Sequence, residues 1–368
     1  MSRARDFADL AGSADAGGLT GRNLIINGAM RVAQRSTSET GIGASSGYFT
    51  LDRHRISVGN TAGRLTMSQA SITDLPGFAN ALKLDCTTAD TSIAANEDLV
   101  IQHRLEGQDL QVLKKGTSSA QPVTVSFYMK TNKAFTFMCE LDDTDNNRVN
   151  TQQFTTTTSW TRHSLTFTGD TTGTLNDDAN LSMRLNFWLH AGSNFTGGTY
   201  SANTWQSRQS SDNMRAVGIG SFFDNTANEI HLTGLQLEIG EKATPFEHRA
   251  YADELLRCQR YFIVIADGND TGTFTNTHAW TSNEVIGHLG FGNVEMRANP
   301  TLSKSDNAHF TIRSGGVDEN TDNVTFIQSD KKGNCRAEFS GTGGLTAGRG
   351  AWVKTNNASA YIHADAEL

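Results

Sequence analysis

Proline and cysteine are both scarce in this chain, at 4 residues each out of 368. The four cysteines, Cys86, Cys139, Cys258 and Cys335, stand far apart and form no CxxC pair. They read as free, buried thiols of a protein folded in a reducing compartment, without a disulfide framework. No apolar run approaches the roughly 20 residues of a membrane span, so no spanning segment is expected. The first residues lack an apolar h-region, and synthesis and folding in a cytoplasm are expected. Charged residues make up only 19%, with a formal net charge of -8. That balance argues against non-specific nucleic-acid binding, which requires clustered Lys and Arg. There is no GxSxG elbow, no GxxxxGK[ST] loop and no HExxH. GIGASSG at 41–47 lacks the GxGxxG spacing, and the ten histidines form no pair at metal spacing. No catalytic residue, metal or cofactor is therefore expected.

What the chain does have is glycine, at 35 residues, with abundant Thr, Ser and Asn. This is a strand-and-turn composition, unlike that of a helical bundle or a disordered chain. Residues 233–262 organise the rest. Leu232, Leu235, Leu237 and Ile239 are interleaved with Gln236 and Glu238, which is the pattern of a half-buried strand. Gly240 ends it and Pro245 fixes a bend. Tyr251, Leu255, Leu256 and Cys258 then fall near helical spacing. Asp253 and Glu254 come early and Arg257 and Arg260 late, which suits the helix dipole. Residues 261–265 read as a strand again.

Before this joint, strands are expected at 23–27, 55–58, 65–68, 81–85, 100–105, 123–130, 136–141, 161–168, 181–189, 216–224 and 229–239. After it they are expected at 261–265, 284–291, 301–303, 308–313, 323–329, 335–340 and 361–364, with 340–350 a flexible glycine-rich loop. The spacing predicts an all-β chain: an N-terminal arm (1–21), a jelly-roll β-sandwich (22–248), a short linking helix (249–265) and a second, smaller C-terminal β-sandwich (266–368). The arm is too polar and glycine-rich to form a core by itself.

Several pieces together resemble the jelly-roll module of tail-fibre and other appendage proteins of tailed bacteriophages. They are NLIINGAM (23–30), LDR (51–53), QHRLEG (102–107), VTVSFYMK (123–130), GLQLEIG (234–240), ATPFE (243–247) and ELLRCQRY (254–261). The resemblance spans roughly residues 1–265. It implies a receptor-binding structural protein of the virion rather than an enzyme, built as a homotrimer. It further implies that the N-terminal arm docks on other tail proteins and that a host cell-surface glycan is the partner. Non-adhesive structural roles, such as adaptor, baseplate or capsid decoration, stay open beside it, as does a glycan-degrading enzyme.

The carbohydrate-binding candidates are Tyr200, Trp205 and Arg208, in the polar stretch GSNFTGGTYSANTWQSRQSSDN. An aromatic ring stacks on the C–H face of a pyranose while amides and guanidinium bind its hydroxyls. The competing reading is that these rings anchor the loop to its own sheet. Trp160 and Trp188 read as packed, and Trp280 and Trp352 as an alternative surface in the C-terminal module. The acidic turns LDDTDNNR (141–148) and LNDDAN (175–180) offer oxygen ligands for calcium, but neither matches the DxDxDG loop and Asx-rich turns are the usual explanation. Glu106 and Glu238 are the carboxylates available for a glycosidase pair, and the resemblance implies that both are structural.

Overall fold

A computed structural model describes residues 21–208, 215–268, 273–291 and 294–368. Most of the N-terminal arm, residues 1–20, lies outside the described residues, as do 209–211 of the candidate loop. The described chain is nearly all β. It divides into two compact units, one ending at Glu254 and including Leu368, the other running from Leu255 to Glu367. The division falls within helix α1 (Tyr251–Gln259), which occupies the joint as its charge order predicts.

The first unit contains β1 (Ser38–Ile42), β2 (Gly47–Tyr48), β3 (His54–Gly59), β4 (Arg64–Ser71), β5 (Asn80–Thr88), β6 (Asp98–Glu106), β7 (Val123–Thr131), β8 (Thr136–Asp143), β9 (Arg148–Thr155), β10 (Thr161–Phe167), β11 (Leu181–Ala191), β12 (Gln206–Ser207) and β13 (Glu229–Ile239). They form a six-stranded sheet, β1-β4-β5-β13-β7-β10, and a seven-stranded sheet, β12-β9-β8-β11-β6-β3-β2. Neighbours in each sheet are mostly not consecutive in sequence, so the chain crosses repeatedly between sheets, as in a jelly roll. Alternate residues of each strand enter one core, where the sheets meet through aromatic rings. Phe127 of β7 lies 4.8 Å from Phe187 of β11 and 5.0 Å from Phe154 of β9. Each such ring, fully buried, contributes on the order of 1.5–3 kcal/mol.

Two expected strands are replaced by other structure. Residues 23–27 run without a ladder, because their backbone groups bond to β13 and to side chains. Residues 216–224 hold only a 3-10 turn at Phe222–Asp224, capped by the Ser221 hydroxyl. Strand β9 gave no apolar signal because RVNTQQFT offers only Val149 and Phe154 to packing.

The second unit contains β14 (Phe262–Asp267), β15 (Thr273–Ala279), β16 (Glu284–Gly290), β17 (Thr301–Lys304), β18 (Phe310–Ser314), β19 (Val317–Ser329), β20 (Asn334–Gly341), β21 (Gly350–Thr355) and β22 (Tyr361–Asp365). Six of them close into a barrel, β15-β16-β20-β19-β18-β21, and β14-β22-β17 form a separate sheet. The expected small sandwich is thus corrected to a closed barrel. The reason lies in β15 and β21, which the sequence did not signal: TFTNTHA is polar, and GAWVKT follows a glycine-rich stretch. These two strands pair with each other, Thr277 opposite Ala351, and so close the ring. Phe310, Phe339, Val285 and Val353 fill its interior. All four cysteines are free and buried.

Candidate functional site

The motif residues that carry the resemblance meet one another. Asn23 Oδ1 accepts from Ile25 N and Leu237 N, and its Nδ2 donates to Leu235 O at 3.2 Å. Gly28 lies so close to β13 that a Cβ there would sit 2.1 Å from Leu235 O. Glu247 accepts from Asn23 N at 2.7 Å, and Glu254 from Asn27 N at 2.6 Å. Arg249, between these two carboxylates, donates to Ile25 O at 2.8 Å and to Asn23 O. The Asn27 amide donates to Val32 O and Asp52 O, which brings in the LDR segment. This latch also touches two buried imidazoles: His54 Nε2 lies 3.2 Å from Asn27 O, and Ile26 N donates to His103. Burial, with Arg53 nearby, pushes the His54 pKa down to about 4 and that of His103 well below its ordinary value. Both rings are neutral at pH 7.

Glu238 accepts from Gln236 Nε2, Thr244 N and Thr244 Oγ1, and so fixes the ATPFE bend. Glu106 is fully buried and accepts from Gln108 Nε2 at 2.7 Å. Each carboxylate is engaged in its own local structure.

The three sequence candidates lie along one segment and are all half-buried. The Tyr200 hydroxyl accepts from Gln153 N at 2.8 Å, and its ring joins a small cluster with Trp188, Val100 and Met138. Trp205 packs against the main core, donates from Nε1 to Thr168 O at 2.6 Å and has Lys115 Nζ 5.4 Å from its ring centre. Arg208 forms an ion pair with Asp142. All three side chains fasten the segment to its own sheet.

The register of the seven-stranded sheet reveals a feature that the sequence reading missed. On the face opposite the core, Tyr48, Arg55, Gln102, Asn186, Glu140 and Thr151 stand in one row across β2, β3, β6, β11, β8 and β9. An adjacent row sets Arg104 opposite Arg184 and Arg184 opposite Asp142. The signal was present as alternation: Gln102 and Arg104 in β6, Arg184, Asn186 and Trp188 in β11, and Glu140 and Asp142 in β8 are all polar-face positions of strands whose other face is apolar.

The two ends of this face differ. At the β8 end, Glu140 receives Arg215, Asn186 Nδ2 at 3.0 Å and Trp188 Nε1 at 2.9 Å. Asp142 receives Arg208, Arg215 and Arg184. At the β3–β6 end the half-buried Arg55 and Arg104 share the neutral Gln102 Oε1, at 3.1 and 3.4 Å. Burial pulls the Arg104 pKa down to about 10, with Arg55, Arg184 and Arg53 adding repulsion. Arg55 is lowered too, through burial and then Arg184. Arg104 donates from Nη1 to Leu368 O, whereas its buried Nε has no hydrogen-bond partner among the described residues.

Among the described residues, one group places metal-ligating atoms within 4.8 Å of one another: Asp90, Glu97 and His190, all buried. Asp90 and Glu97 are seven positions apart, and His190 joins them from β11 only through the fold. His190 lies 2.8 Å from Ser221 Oγ and 3.2 Å from Glu97 Oε2, and Asp90 accepts from Thr61 Oγ1 and Ala62 N, so the group is also satisfied internally. Burial lowers the His190 pKa against the pull of Glu97. At the acidic turns, Asp143 accepts from Asn146 N and Asp178 from Asn180 N, both as Asx turns. The buried Lys115 ammonium lies between Asp143 and Asp170, at 2.6 and 3.0 Å.

No protein-family model and no curated protein matches the chain. Solved structures similar to it include a CBM4 module, 12% identical with a TM-score of 0.29, covering 58% of this chain and 98% of that one. TmCBM61, solved in complex with beta-1,4-galactotriose, is 9% identical with a TM-score of 0.30, covering 60% and 100%. The enzymatically active domain of bacteriophage CBA120 tailspike protein 4 is 8% identical with a TM-score of 0.30, covering 60% of this chain and 22% of that one.

Proposed function

We propose that this chain is a carbohydrate-binding structural protein of a phage tail appendage, and that the outer face of its seven-stranded sheet receives a host-surface glycan. The observation that carries the reading is the row Tyr48–Arg55–Gln102–Asn186. A half-buried aromatic ring and guanidinium line up with two buried amides, Gln102 and Asn186, across four strands of a rigid sheet. Such a row matches the alternating hydroxyls and apolar ring faces of a sugar chain, and strands hold it with little entropy left to lose on binding. The sequence motifs shared with tail-fibre proteins supply the viral context. Residues 1–21 are then the docking element, and a trimer multiplies weak single-site binding. Trp280 and Trp352, exposed at 62% and 37%, favour a second reading in which the C-terminal barrel is the contact surface.

The test is retention of the purified chain on host cells before and after enzymatic removal of surface polysaccharide. Loss of retention after stripping, a tenfold loss on Gln102→Ala and none on Trp280→Ala support the sheet face. The reverse mutational pattern moves the site to the barrel. Retention indifferent to stripping ends the glycan reading. Immunogold labelling of intact particles locates the protein, and light scattering reads its oligomeric state.

A further inference from the structure

The outer face of the seven-stranded sheet gathers guanidinium groups at its β3–β6 end, in a protein whose net charge is -8. Arg55, Arg104, Arg184, Arg208 and Arg215 lie on or against it, and the carboxylates on the same face are Asp98, Glu106, Glu140 and Asp142. Arg215 is committed to Glu140 and Asp142, and Arg208 to Asp142. Arg184 reaches Asp142 at 3.3 Å. Asp98 acts on Arg55 only as the weakest of its electrostatic neighbours. What remains at the β3–β6 end is a pair of half-buried guanidinium groups around one neutral amide, with Arg184 directly opposite Arg104 and Arg104 Nη1 donating to the Leu368 oxygen. Burying like charges side by side is unfavourable unless an opposite charge arrives. Arg104 keeps a buried Nε–H that no group among the described residues accepts. A planar guanidinium fork matches the two oxygens of a carboxylate, or two oxygens of a sulfate or phosphate, in bidentate geometry.

We propose that this face selects carbohydrate chains bearing oxyanions, with Arg55, Arg104 and Arg184 holding the charged substituent and Gln102 and Tyr48 the neighbouring sugar. The inference rests on the glycan reading above and narrows it to acidic polysaccharide. Arg184 anchors the charged end to the Glu140–Asp142 network, so the bound oxyanion completes a ladder of alternating charge across β8, β11 and β6.

The experiment compares polygalacturonate with its fully methyl-esterified form, which has the same backbone and no charge, and dextran sulfate with dextran. Binding of the full chain is measured by affinity electrophoresis and calorimetry. At least tenfold tighter binding to a charged polymer than to its neutral counterpart, weakening as salt rises, is expected. The polymer pair that shows the difference identifies carboxylate or sulfate as the preferred oxyanion. Arg104→Gln and Arg55→Gln should each cost about tenfold on the charged polymer and clearly less on its neutral counterpart, with Arg104→Lys intermediate. Arg55→Gln keeps the test open if Arg104→Gln fails to fold. Equal affinity within both pairs, or charged-polymer binding indifferent to Arg55→Gln, overturns the oxyanion assignment while leaving the glycan reading standing. Binding to none of the four polymers, together with retention on stripped cells, overturns both.

Discussion

The latch around Asn23 and the outer face of the seven-stranded sheet belong to the same unit, and both contain buried charge, arranged in opposite ways. In the latch, Arg249 sits between Glu247 and Glu254, and all three also bond to backbone groups of residues 23–27. Arg249 Nε is buried there without a hydrogen-bond partner among the described residues, as Arg104 Nε is on the sheet face, but each charge of the latch faces an opposite one. On the sheet face, Arg55 and Arg104 crowd one glutamine oxygen, and burial weakens their hold on their protons. Matched burial of this kind fixes architecture. Unmatched burial leaves a free-energy deficit that an anion can relieve. The most recognisable sequence motifs of the chain therefore mark its construction, and the quieter alternation in β6 and β11 marks the face to which the proposal assigns binding.

The comparison breaks most severely if Arg249 is truncated. Arg249→Ala should lose about 3–5 kcal/mol of unfolding free energy, because two buried carboxylates lose their cation. Urea denaturation reads this, and glycan binding by the molecules that remain folded should be unchanged. A loss below 1 kcal/mol would show that the latch is dispensable.

Acid provides the second lever. His54 is held neutral with a pKa of about 4, against 6.5 for an ordinary imidazole. The unfolded chain thus binds more protons across this window. The contribution is complete above pH 6.5 and is lost as the pH falls toward 4. It amounts to on the order of 3 kcal/mol between pH 7 and pH 4. His103, shifted in the same direction, steepens the loss. His54→Gln should flatten the pH dependence of the melting temperature, whereas Arg55→Gln on the sheet face should leave its slope unchanged.

The smallest effect sharpens the reading of the loop. Trp205 is half-buried and bonded to Thr168 O, so Trp205→Ala should cost about 1–2 kcal/mol of stability. Carbohydrate binding should be unaltered. A variant with an unchanged melting temperature and weakened binding would restore Trp205 as a stacking platform.

Much of this architecture was legible in sequence because the relevant segments obey one period. GLQLEI alternates and becomes β13, and YADELLRCQ follows helical spacing and becomes α1. The barrel was not legible as such. Its closure depends on β15 and β21, whose few apolar residues, Phe274, Ala279, Ala351 and Val353, are diluted by Thr, Asn and Lys. The sheet face was half legible. Polar residues at every second position are visible in QHRLE, but the row they complete depends on register, which pairs residues as distant as Arg55 and Gln102. The Asp90–Glu97–His190 group depends on tertiary folding, since β5, β6 and β11 must be assembled before the three meet.

The latch also sets a clock on synthesis. Asn23 and Arg249 are 226 positions apart. At ~5–20 residues per second of translation, roughly 10–45 s separate the appearance of one from that of the other. For the 98 residues from Thr131 to Glu229, roughly 5–20 s of that interval, β13 is missing from between β5 and β7, and both strands present unpaired edges at the ribosome. Local hairpins such as β8–β9 can form early, but the sandwich gains its central strand only when nearly the whole unit has emerged. Nascent chains crowded on one message are exposed to mispairing for that time, which makes a holding chaperone, or slow initiation, the natural companion of this topology.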